Sequence, residues 1–333
     1  MENNIKLGSF FSGIGSPEFA FDNCGINYEL QFYSEFDPQE SIQYASKAYS
    51  ICHNVSESLN LGDINKIDEN NVPYCDIITY GFPCQSFSMQ GKRLGFEDPI
   101  KGNLFFETMR IANKIKPNIM IAENVKGLVS HDNGNTFNTI LKTLDYIGYN
   151  NYYSILNSCN FDLPQHRERI YIISIKKEYD NNLFEMPVGE MTNKKVRDII
   201  DFDIKRKEPK ISLRKYFDKK SFIKKSNSEF GIKKLFDGVS EGFFNSSFTS
   251  NRIFSIDGIS PTLTTKNDSV FFEIGGHLTQ KERFRLHGID DKYVDLLIKN
   301  SIPNTKLDKI SGNTLSVNVF SAILKQLKDS KLI

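Results

Sequence analysis

Short hydrophobic runs alternate with amphipathic stretches over residues 6–175, and the two patterns predict different elements. Runs of about four to eight mostly apolar residues, bounded by polar or turn-forming residues, are typical of buried strands. The candidate strands read KLGSFF, ELQFYS, CDIITYG, NIMIAEN, YYSILN and RIYIISI. Between them, apolar residues recur at helical spacing, as in NLFFETMRIANKI and NTFNTILKTLDYIG. Strands that alternate with helices predict an α/β domain around a largely parallel sheet.

The middle and the end of the chain differ from this alternating part. Residues 311–332 carry apolar residues at helical spacing and predict one helix that returns to the α/β domain. Residues 176–235 are rich in Lys, Asn and Asp and show little periodicity, which indicates a second domain or an insertion. We therefore expect one domain built from residues 1–182 and 300–333, and a second domain over residues 183–299.

Composition narrows the class of protein. The 333 residues are 39% hydrophobic and 25% charged, and no apolar run approaches the roughly 20 residues of a membrane span. The N-terminal stretch MENNIKLGSF lacks the basic and apolar regions of a secretion signal, which favours a cytoplasmic location. The five cysteines form no CxxC pair and the five histidines are scattered, so we expect neither a disulfide framework nor a metal site.

The net charge of +1 conceals a basic block. Residues 186–235 carry 15 Lys and Arg against 7 Asp and Glu, whereas the rest of the chain has an excess of acidic residues. A basic block on an otherwise acidic protein suggests a polyanionic partner such as a nucleic acid. A solvated loop region would give the same composition, so charge alone leaves both interpretations open.

A glycine loop, Gly13–Gly15, follows the first predicted strand. Ser16 is a good helix N-cap and Pro17 a good first helical residue, so the loop leads into a helix. This order is typical of nucleotide-type cofactor sites, but Glu18 stands where a dinucleotide-binding loop has its third glycine. A carboxylate at the helix start disfavours a pyrophosphate, whereas a cationic sulfonium cofactor meets no such penalty.

Two carboxylates complete the candidate cofactor site. Glu35 lies 20 residues beyond Gly15 and follows the second predicted strand, where it could bind ribose hydroxyl groups. Asp63, in the stretch LGDI, could accept a hydrogen bond from an adenine amino group. With the glycine loop, these residues predict a site for an adenosine-containing cofactor.

Cys84 stands in GFPCQSFS, directly after the strand predicted from CDIITYG. A cysteine at the end of a strand is most often a small core residue. The alternative is a thiolate nucleophile displayed on a loop. Ligands bind at the carboxyl ends of strands in sheets of this type, which favours the nucleophile without deciding the question.

Five segments occur in an order that resembles the cytosine-C5 DNA methyltransferase family: FFSGIGSPEF, GFPCQSFS, AENVKGL, QHRERIYII and GNTLSVNVF. The resemblance covers about residues 6–175 and 275–325, and its Pro-Cys-Gln, Glu-Asn-Val and Gln-x-Arg-x-Arg elements are highly specific. Ser16 and Phe36 depart from the family pattern, in which glycine and tryptophan are common at these positions. Neither residue touches the chemistry, although both could tune cofactor affinity.

The resemblance implies a Rossmann-like S-adenosylmethionine-dependent methyltransferase sheet with a second, smaller target-recognition domain at 183–299. It implies a DNA (cytosine-5-)-methyltransferase that moves a methyl group from S-adenosyl-L-methionine to C5 of a flipped cytosine in a specific duplex sequence. Cytosine C5 is a poor nucleophile, and the thiolate of Cys84 would activate it by adding at C6. Glu123 would protonate N3 of the base, Arg169 would hold the cytosine O2, and Arg167 would support the loop, a phosphate or the base.

The expected binding residues form two groups. Those for the cofactor are Phe11, Gly13, Ile14, Gly15, Glu35, Phe36, Asp63, Ile64, Pro83, Leu104 and Asn313. Those for DNA are Gln90, Lys92, Arg93, Arg252 and Thr262. Residues 90–93 belong to a glycine-punctuated stretch that would close as a lid over the flipped nucleotide. Arg252 would reach a guanine edge, and Thr262 begins a Thr-Leu pair like that of the family.

The resemblance also sets the expected partners. These are double-stranded DNA and a cognate restriction endonuclease that acts separately. The protein itself is expected to be a cytoplasmic, nucleoid-associated monomer that binds neither a metal nor a membrane. Two other functions stay open: a tRNA cytosine-5 methyltransferase with the same core, and a DNA-binding regulator without chemistry. The presence of Cys84, Glu123 and Arg169 argues against the regulator, because a binding protein needs none of them. Glu18 and the missing third glycine disfavour a nicotinamide-dependent dehydrogenase.

Overall fold

The chain folds into two compact units. The computed structural model describes residues 4–83, 104–209, 231–237, 252–265 and 269–333. The first unit comprises Met1–Leu156, Glu168–Pro187 and Phe320–Ile333, and the second comprises Asn157–Arg167 and Val188–Val319. The sequence-based division had kept 157–167 and 300–319 with the first domain, whereas their contacts group them with the second unit.

Ten strands and eight α-helices occur within the described residues. The strands are β1 (Ile5–Phe10), β2 (Tyr28–Ser34), β3 (Ile77–Tyr80), β4 (Ile119–Val125), β5 (Tyr149–Asn157), β6 (Glu168–Lys176), β7 (Lys234–Asp237), β8 (Arg252–Phe254), β9 (Val270–Phe271) and β10 (Gly276–His277). The helices are α1 (Ser16–Asn23), α2 (Tyr44–His53), α3 (Leu104–Ile115), α4 (Asn135–Tyr146), α5 (Gln280–Arg285), α6 (Asp291–Lys299), α7 (Asn304–Asn313) and α8 (Val317–Asp329).

The first unit is an α/β sheet whose strand order is β2-β1-β3-β4-β6-β5. The β1–β2, β1–β3 and β3–β4 pairs are parallel, and β4–β6 is antiparallel. The predicted α/β architecture is therefore confirmed, with a mixed sheet. The chain leaves β1 on one side to form β2 and returns on the other side to form β3. Such a switch in strand order opens a crevice at the strand carboxyl ends, where ligands bind.

The apolar faces of α3 and α4 pack against the sheet and complete the core of the first unit, as the apolar periodicity of these helices predicts. Met109 and Ala112 of α3 and Ile140 and Leu144 of α4 are fully buried. They pack in one cluster with residues of β1, β3 and β4, such as Ile78. This packing fixes the sheet edge at which the candidate site residues lie.

The second unit contains a four-stranded sheet of order β10-β9-β8-β7 and a separate apolar cluster that includes Phe254 and Leu286. Its helix α5 begins with a capping box, in which the Thr279 hydroxyl accepts from the Glu282 N–H and the Glu282 carboxylate accepts from the Thr279 N–H. Glu282 also forms a buried ion pair with Arg206, 2.5 Å between Nη1 and Oε2.

The prediction of one helix over 311–332 was wrong, because α7 ends at Asn313 and α8 begins at Val317. Thr314 is extended (φ −64°, ψ 138°), and the Ser-Gly-Asn-Thr stretch has low helix propensity. Gly312 also lies against the main chain of Thr264, where an added Cβ would be 2.5 Å from the carbonyl carbon. Gly312, in the last turn of α7, allows this close approach because glycine has no Cβ.

No helix in the described part of the chain is long and apolar enough to cross a membrane. Within the same residues, no group of three His, Cys, Asp or Glu side chains is placed to hold a metal ion.

Candidate active site

The glycine loop after β1 adopts backbone angles that suit glycine. Gly13 (φ 56°) and Gly15 (φ 80°) are both left-handed, and a Cβ at Gly15 would collide with the His53 ring. Gly15 itself is the N-cap of α1, so Ser16 is the first helical residue rather than the cap. Ile14 is buried, and its carbonyl oxygen is 2.9 Å from Nε2 of His53. His53 of α2 therefore holds the glycine loop in place.

Glu18, in the first turn of α1, is fully buried. The Tyr49 hydroxyl donates to its Oε1 (2.7 Å). Burial raises the pKa of Glu18 to about 7, although the Tyr49 hydrogen bond acts in the opposite direction. The carboxyl group therefore joins α1 to α2 through Tyr49.

Glu35 and the glycine loop are joined directly. The Gly13 N–H donates to Oε2 of Glu35 (2.8 Å), just beyond the end of β2. Phe11, which is left-handed (φ 53°), packs its side chain on the core of the first unit, and Phe36 is 43% exposed. An added Cβ at Gly13 would meet nothing within 4 Å, so the space above it is open.

Asp63 caps a short 3-10 turn, Ile64–Lys66. Its Oδ1 accepts from the N–H (3.1 Å) and the side-chain amide (2.8 Å) of Asn65, and Ile64 is buried. Leu104 begins α3 and packs against the same core. Most of the predicted cofactor residues of the first unit thus lie near the carboxyl ends of β1 and β2 and on the loop after α2, whereas Pro83 follows β3 and Leu104 begins α3.

The chain entering Cys84 is anchored, although Cys84 itself lies outside the described residues, as do Gln90, Lys92 and Arg93. Phe82 is buried and Pro83 exposed at the end of this stretch. The side-chain amide of Asn124 donates to the Phe82 carbonyl oxygen (2.8 Å), while its Oδ1 accepts from the Val125 N–H (2.8 Å). Asn124 on β4 therefore fixes the main chain two residues before Cys84.

Glu123 and Arg169 form an ion pair at the same sheet edge. Arg169 Nε lies 3.1 Å from Glu123 Oε1, and the two side chains are only 16% and 9% exposed. Antiparallel pairing of β4 with β6 sets this contact, because it places Val125 opposite Arg169 and Glu123 opposite Tyr171. The arrangement offers one carboxyl group and one guanidinium group in a site of low solvent exposure.

Arg167, two residues earlier, belongs to the second unit and is 3% exposed. Its guanidinium donates to the carbonyl oxygens of Leu263 (3.3 Å) and Gly312 (3.5 Å). Gln165 accepts from the Leu263 N–H (3.0 Å), and the Thr262 hydroxyl donates to the His166 carbonyl oxygen (2.7 Å). The Thr262–Leu263 segment is therefore held by residues 165–167.

The remaining predicted residues of the second unit are more accessible. Arg252 begins β8 and is half-buried, and Asn313 is exposed at the end of α7.

Comparisons with known proteins identify the family. The family model described as C-5 cytosine-specific DNA methylase matches residues 5–329. The chain belongs to this family. It is 34% identical over 290 residues to the orphan methyltransferase M.SPRI of Bacillus phage SPR, covering 78% of this chain and 64% of that protein. It is 30% identical to the type II methyltransferase M.HhaI of Haemophilus parahaemolyticus, covering 98% of this chain and 95% of that protein.

A solved structure shows the same fold. The S. pombe Dnmt2 methyltransferase has a TM-score of 0.65 and 17% identity, with 98% of this chain and 99% of that chain covered. As a member of the C-5 cytosine-specific DNA methylase family, the chain has the architecture that its segment order predicts.

Sequence reasoning missed one residue that is central to this geometry. Asn60 forms hydrogen bonds to the main chain of both Glu35 and Gly62. Its only local sign is its place in NLGD, three residues before Asp63, so spacing gives no reason to single it out.

Proposed function

We propose that this chain is a DNA (cytosine-5-)-methyltransferase that transfers a methyl group from S-adenosyl-L-methionine to C5 of a flipped cytosine in a specific duplex sequence. The observation that carries the proposal is the Glu123–Arg169 ion pair, at the sheet edge where Asn124 holds the chain entering Cys84. An acid, a cation and a thiol are the groups that cytosine activation needs. A DNA-binding protein without chemistry would need none of them.

The residues of the first unit fit an adenosine-containing sulfonium compound. The open space at Gly13 and the Glu35 carboxylate beside it suit a ribose, and the Asp63 carboxylate suits an adenine amino group. Buried Ile64 and half-buried Phe11 supply apolar surface next to them. When bound, S-adenosylmethionine supplies an electrophilic methyl group, and the chain's own residues must activate the base.

Three residues share that activation. The Cys84 thiolate adds to C6 of cytosine and moves electron density towards C5. Glu123 donates a proton to N3, which makes the addition easier, and Arg169 orients Glu123 and binds the cytosine O2. Because C6 is inaccessible in a duplex, the base must leave the stack at a cost of a few kcal/mol.

The second unit is proposed to read the target sequence. Its basic block around residues 186–235 would contact phosphates, which gives affinity without sequence information. Arg252 and Thr262 are the proposed base-reading residues, and Arg167 is proposed to hold the Thr262–Leu263 segment in place. A separately acting restriction endonuclease, a monomeric state and a nucleoid location complete the proposal.

Transfer of a tritiated methyl group tests the substrate class. Purified protein is offered S-adenosylmethionine labelled in the methyl group, with duplex DNA in one reaction and tRNA in another. We expect label in DNA, and bisulfite sequencing of DNA from cells that express the protein should show 5-methylcytosine at one short sequence. Label in tRNA alone would show a tRNA methyltransferase, and label in neither would support a regulator.

A further inference from the structure

Asn60 lies between two predicted cofactor residues and contacts the main chain beside both. Its Oδ1 accepts from the N–H of Glu35 (3.1 Å) and from the N–H of Gly62 (2.9 Å). Glu35 carries the carboxylate proposed for the ribose, and Gly62 directly precedes Asp63. One oxygen atom therefore joins the end of β2 to the loop that presents Asp63.

The amide nitrogen of Asn60 completes the contact. Nδ2 donates to the carbonyl oxygen of Glu35 (3.1 Å) and to Oγ of Ser46 on α2 (2.8 Å). A side-chain amide offers two donor hydrogens and an acceptor oxygen with two lone pairs, and here all four are used. Both the N–H and the C=O of Glu35 are bound by the same side chain, which fixes the direction in which Glu35 points.

Neighbouring hydrogen bonds join the same two segments. The Ser34 hydroxyl donates to the Gly62 carbonyl oxygen (2.7 Å), and the Leu61 N–H donates to the Tyr33 carbonyl oxygen (2.8 Å). Beyond Ser34, where β2 ends, Asn60 binds both the N–H and the carbonyl oxygen of Glu35. An asparagine side chain suits this position because it offers a donor and an acceptor together.

From this geometry we infer that Asn60 is a positioning residue that sets the separation of the Glu35 and Asp63 carboxylates for the adenosine part of the methyl donor. The inference rests on the proposed function, because it assumes that these carboxylates bind S-adenosylmethionine. Asn60 touches neither the methyl group nor the base. Its loss should weaken cofactor binding and leave the chemical step intact once the site is saturated.

Substitution of Asn60 by Asp tests the inference with almost no change in shape. Aspartate keeps an acceptor for the two N–H groups but turns a second oxygen towards the Glu35 carbonyl oxygen. We expect Kd for S-adenosylmethionine, measured by calorimetry, to rise about tenfold or more, as loss of one or two buried hydrogen bonds implies. The turnover rate at saturating cofactor should stay within about twofold of wild type.

Ser46→Ala is the matched control. It removes the Asn60–Ser46 hydrogen bond and leaves the three bonds from Asn60 to the main chain. Its Kd should stay within about twofold of wild type, and its melting temperature shows whether loss of a hydrogen bond near α2 acts only on stability. Asn60→Ala adds the complete loss of the amide and should raise Kd at least as much as Asn60→Asp.

The outcomes separate the inference from the proposed function. If wild type binds S-adenosylmethionine and Asn60→Asp binds it equally well, the positioning role is overturned and the proposed function stands. Equal loss of affinity in Ser46→Ala, or a fall in saturated turnover as large as the loss of affinity, would also overturn it. If wild type itself does not bind S-adenosylmethionine, the proposed function fails and the inference fails with it.

Discussion

The edge of the first sheet has two parts that are built differently. The cofactor end (residues 11–15, 35–36 and 60–64) is held by side-chain contacts to main-chain groups, such as those of Asn60 and the bond from the Gly13 N–H to Glu35. The proposed base end (residues 81–83, 123–125 and 169) also has side-chain contacts to the main chain, those of Asn124, but in addition it contains the ion pair of Glu123 and Arg169. The hydrogen bonds at the cofactor end fix the main-chain conformation. The ion pair at the base end places opposite charges where few side-chain atoms are exposed to solvent.

Under the proposed function, this difference corresponds to a division between cofactor binding and chemistry. A cradle fixed by hydrogen bonds to the main chain changes little when a ligand enters, so it suits tight and specific binding. A carboxyl and a guanidinium group shielded from water act more strongly on developing charge than they would in solvent. Substitutions at the cofactor end should therefore change affinity, and substitutions at the base end should change rate.

Glu123→Gln, at the base end, should have the largest effect of these substitutions, a fall in the rate of methyl transfer. Glutamine keeps an acceptor oxygen for Arg169 but has no proton to give to N3 of cytosine. We expect methyl transfer to slow by about 10²–10⁴-fold, the usual contribution of general acid catalysis, with the affinity for S-adenosylmethionine unchanged. Single-turnover kinetics at saturating cofactor, combined with calorimetry, measures both quantities.

Glu168→Gln is the control for this change. Glu168 neighbours Arg169 on β6 and pairs with the exposed Lys126, 3.0 Å between Nζ and Oε2, so its loss removes a carboxylate without touching Glu123. Its rate should remain within about twofold of wild type. A similar slowing in both variants would mean that the charge of the region, and not the acid function of Glu123, controls the rate.

Glu18→Gln should sharpen the comparison by removing one pH-dependent contribution to the stability of the protein. Burial raises the pKa of Glu18 from 4.5 to about 7 in the folded state. The folded protein thus holds a proton that the unfolded chain has lost, and the associated stability is complete below pH 4.5 and is lost as the pH rises through 7. Glutamine cannot ionise, so the variant lacks this contribution, while other groups such as His53, whose pKa burial lowers, titrate in both proteins.

The expected size follows from the shift in the pKa. Between pH 5 and pH 8, wild type should lose about 2–3 kcal/mol relative to Glu18→Gln, measured by urea denaturation. The substitution Tyr49→Phe in a protein that keeps Glu18 should increase the free energy of unfolding lost between these pH values. The reason is that the Tyr49 hydrogen bond lowers the pKa of Glu18. Parallel stability curves for wild type and Glu18→Gln would show that Glu18 does not titrate in this window.

Asp63→Ala should show the smallest effect, confined to cofactor affinity. Loss of one hydrogen bond to the adenine amino group should raise Kd by about tenfold, with the saturated rate unchanged. Asp68 is a close structural match, since its Oδ1 accepts from the N–H and side-chain amide of Asn70 (both 3.0 Å) as Asp63 does from Asn65. Asp68→Ala should leave Kd unaltered, and equal effects of the two changes would place the adenine elsewhere.

Local sequence patterns were sufficient to predict the α/β architecture. They did not predict all of the contacts that hold the residues around the site. The alternation of strands and helices predicts the first unit because each element buries an apolar face of its own, as α3 does with Met109 and Ala112. The helix break at Thr314 was missed because Gly312 packs on Thr264, a contact between residues 48 positions apart. Asn60 and the burial of Glu18 were missed for the same physical reason, since both depend on hydrogen bonds between distant segments.

A covalent complex with modified DNA tests the central claim most directly. The target sequence found by bisulfite sequencing is synthesised with 5-fluorocytosine at the methylated position, and the protein is added with S-adenosylmethionine. Fluorine blocks the final loss of the C5 proton, so wild type should form a protein–DNA adduct that survives denaturing electrophoresis, and Cys84→Ser should form none. The absence of an adduct with wild type on a confirmed target, or an adduct with Cys84→Ser, would contradict the account.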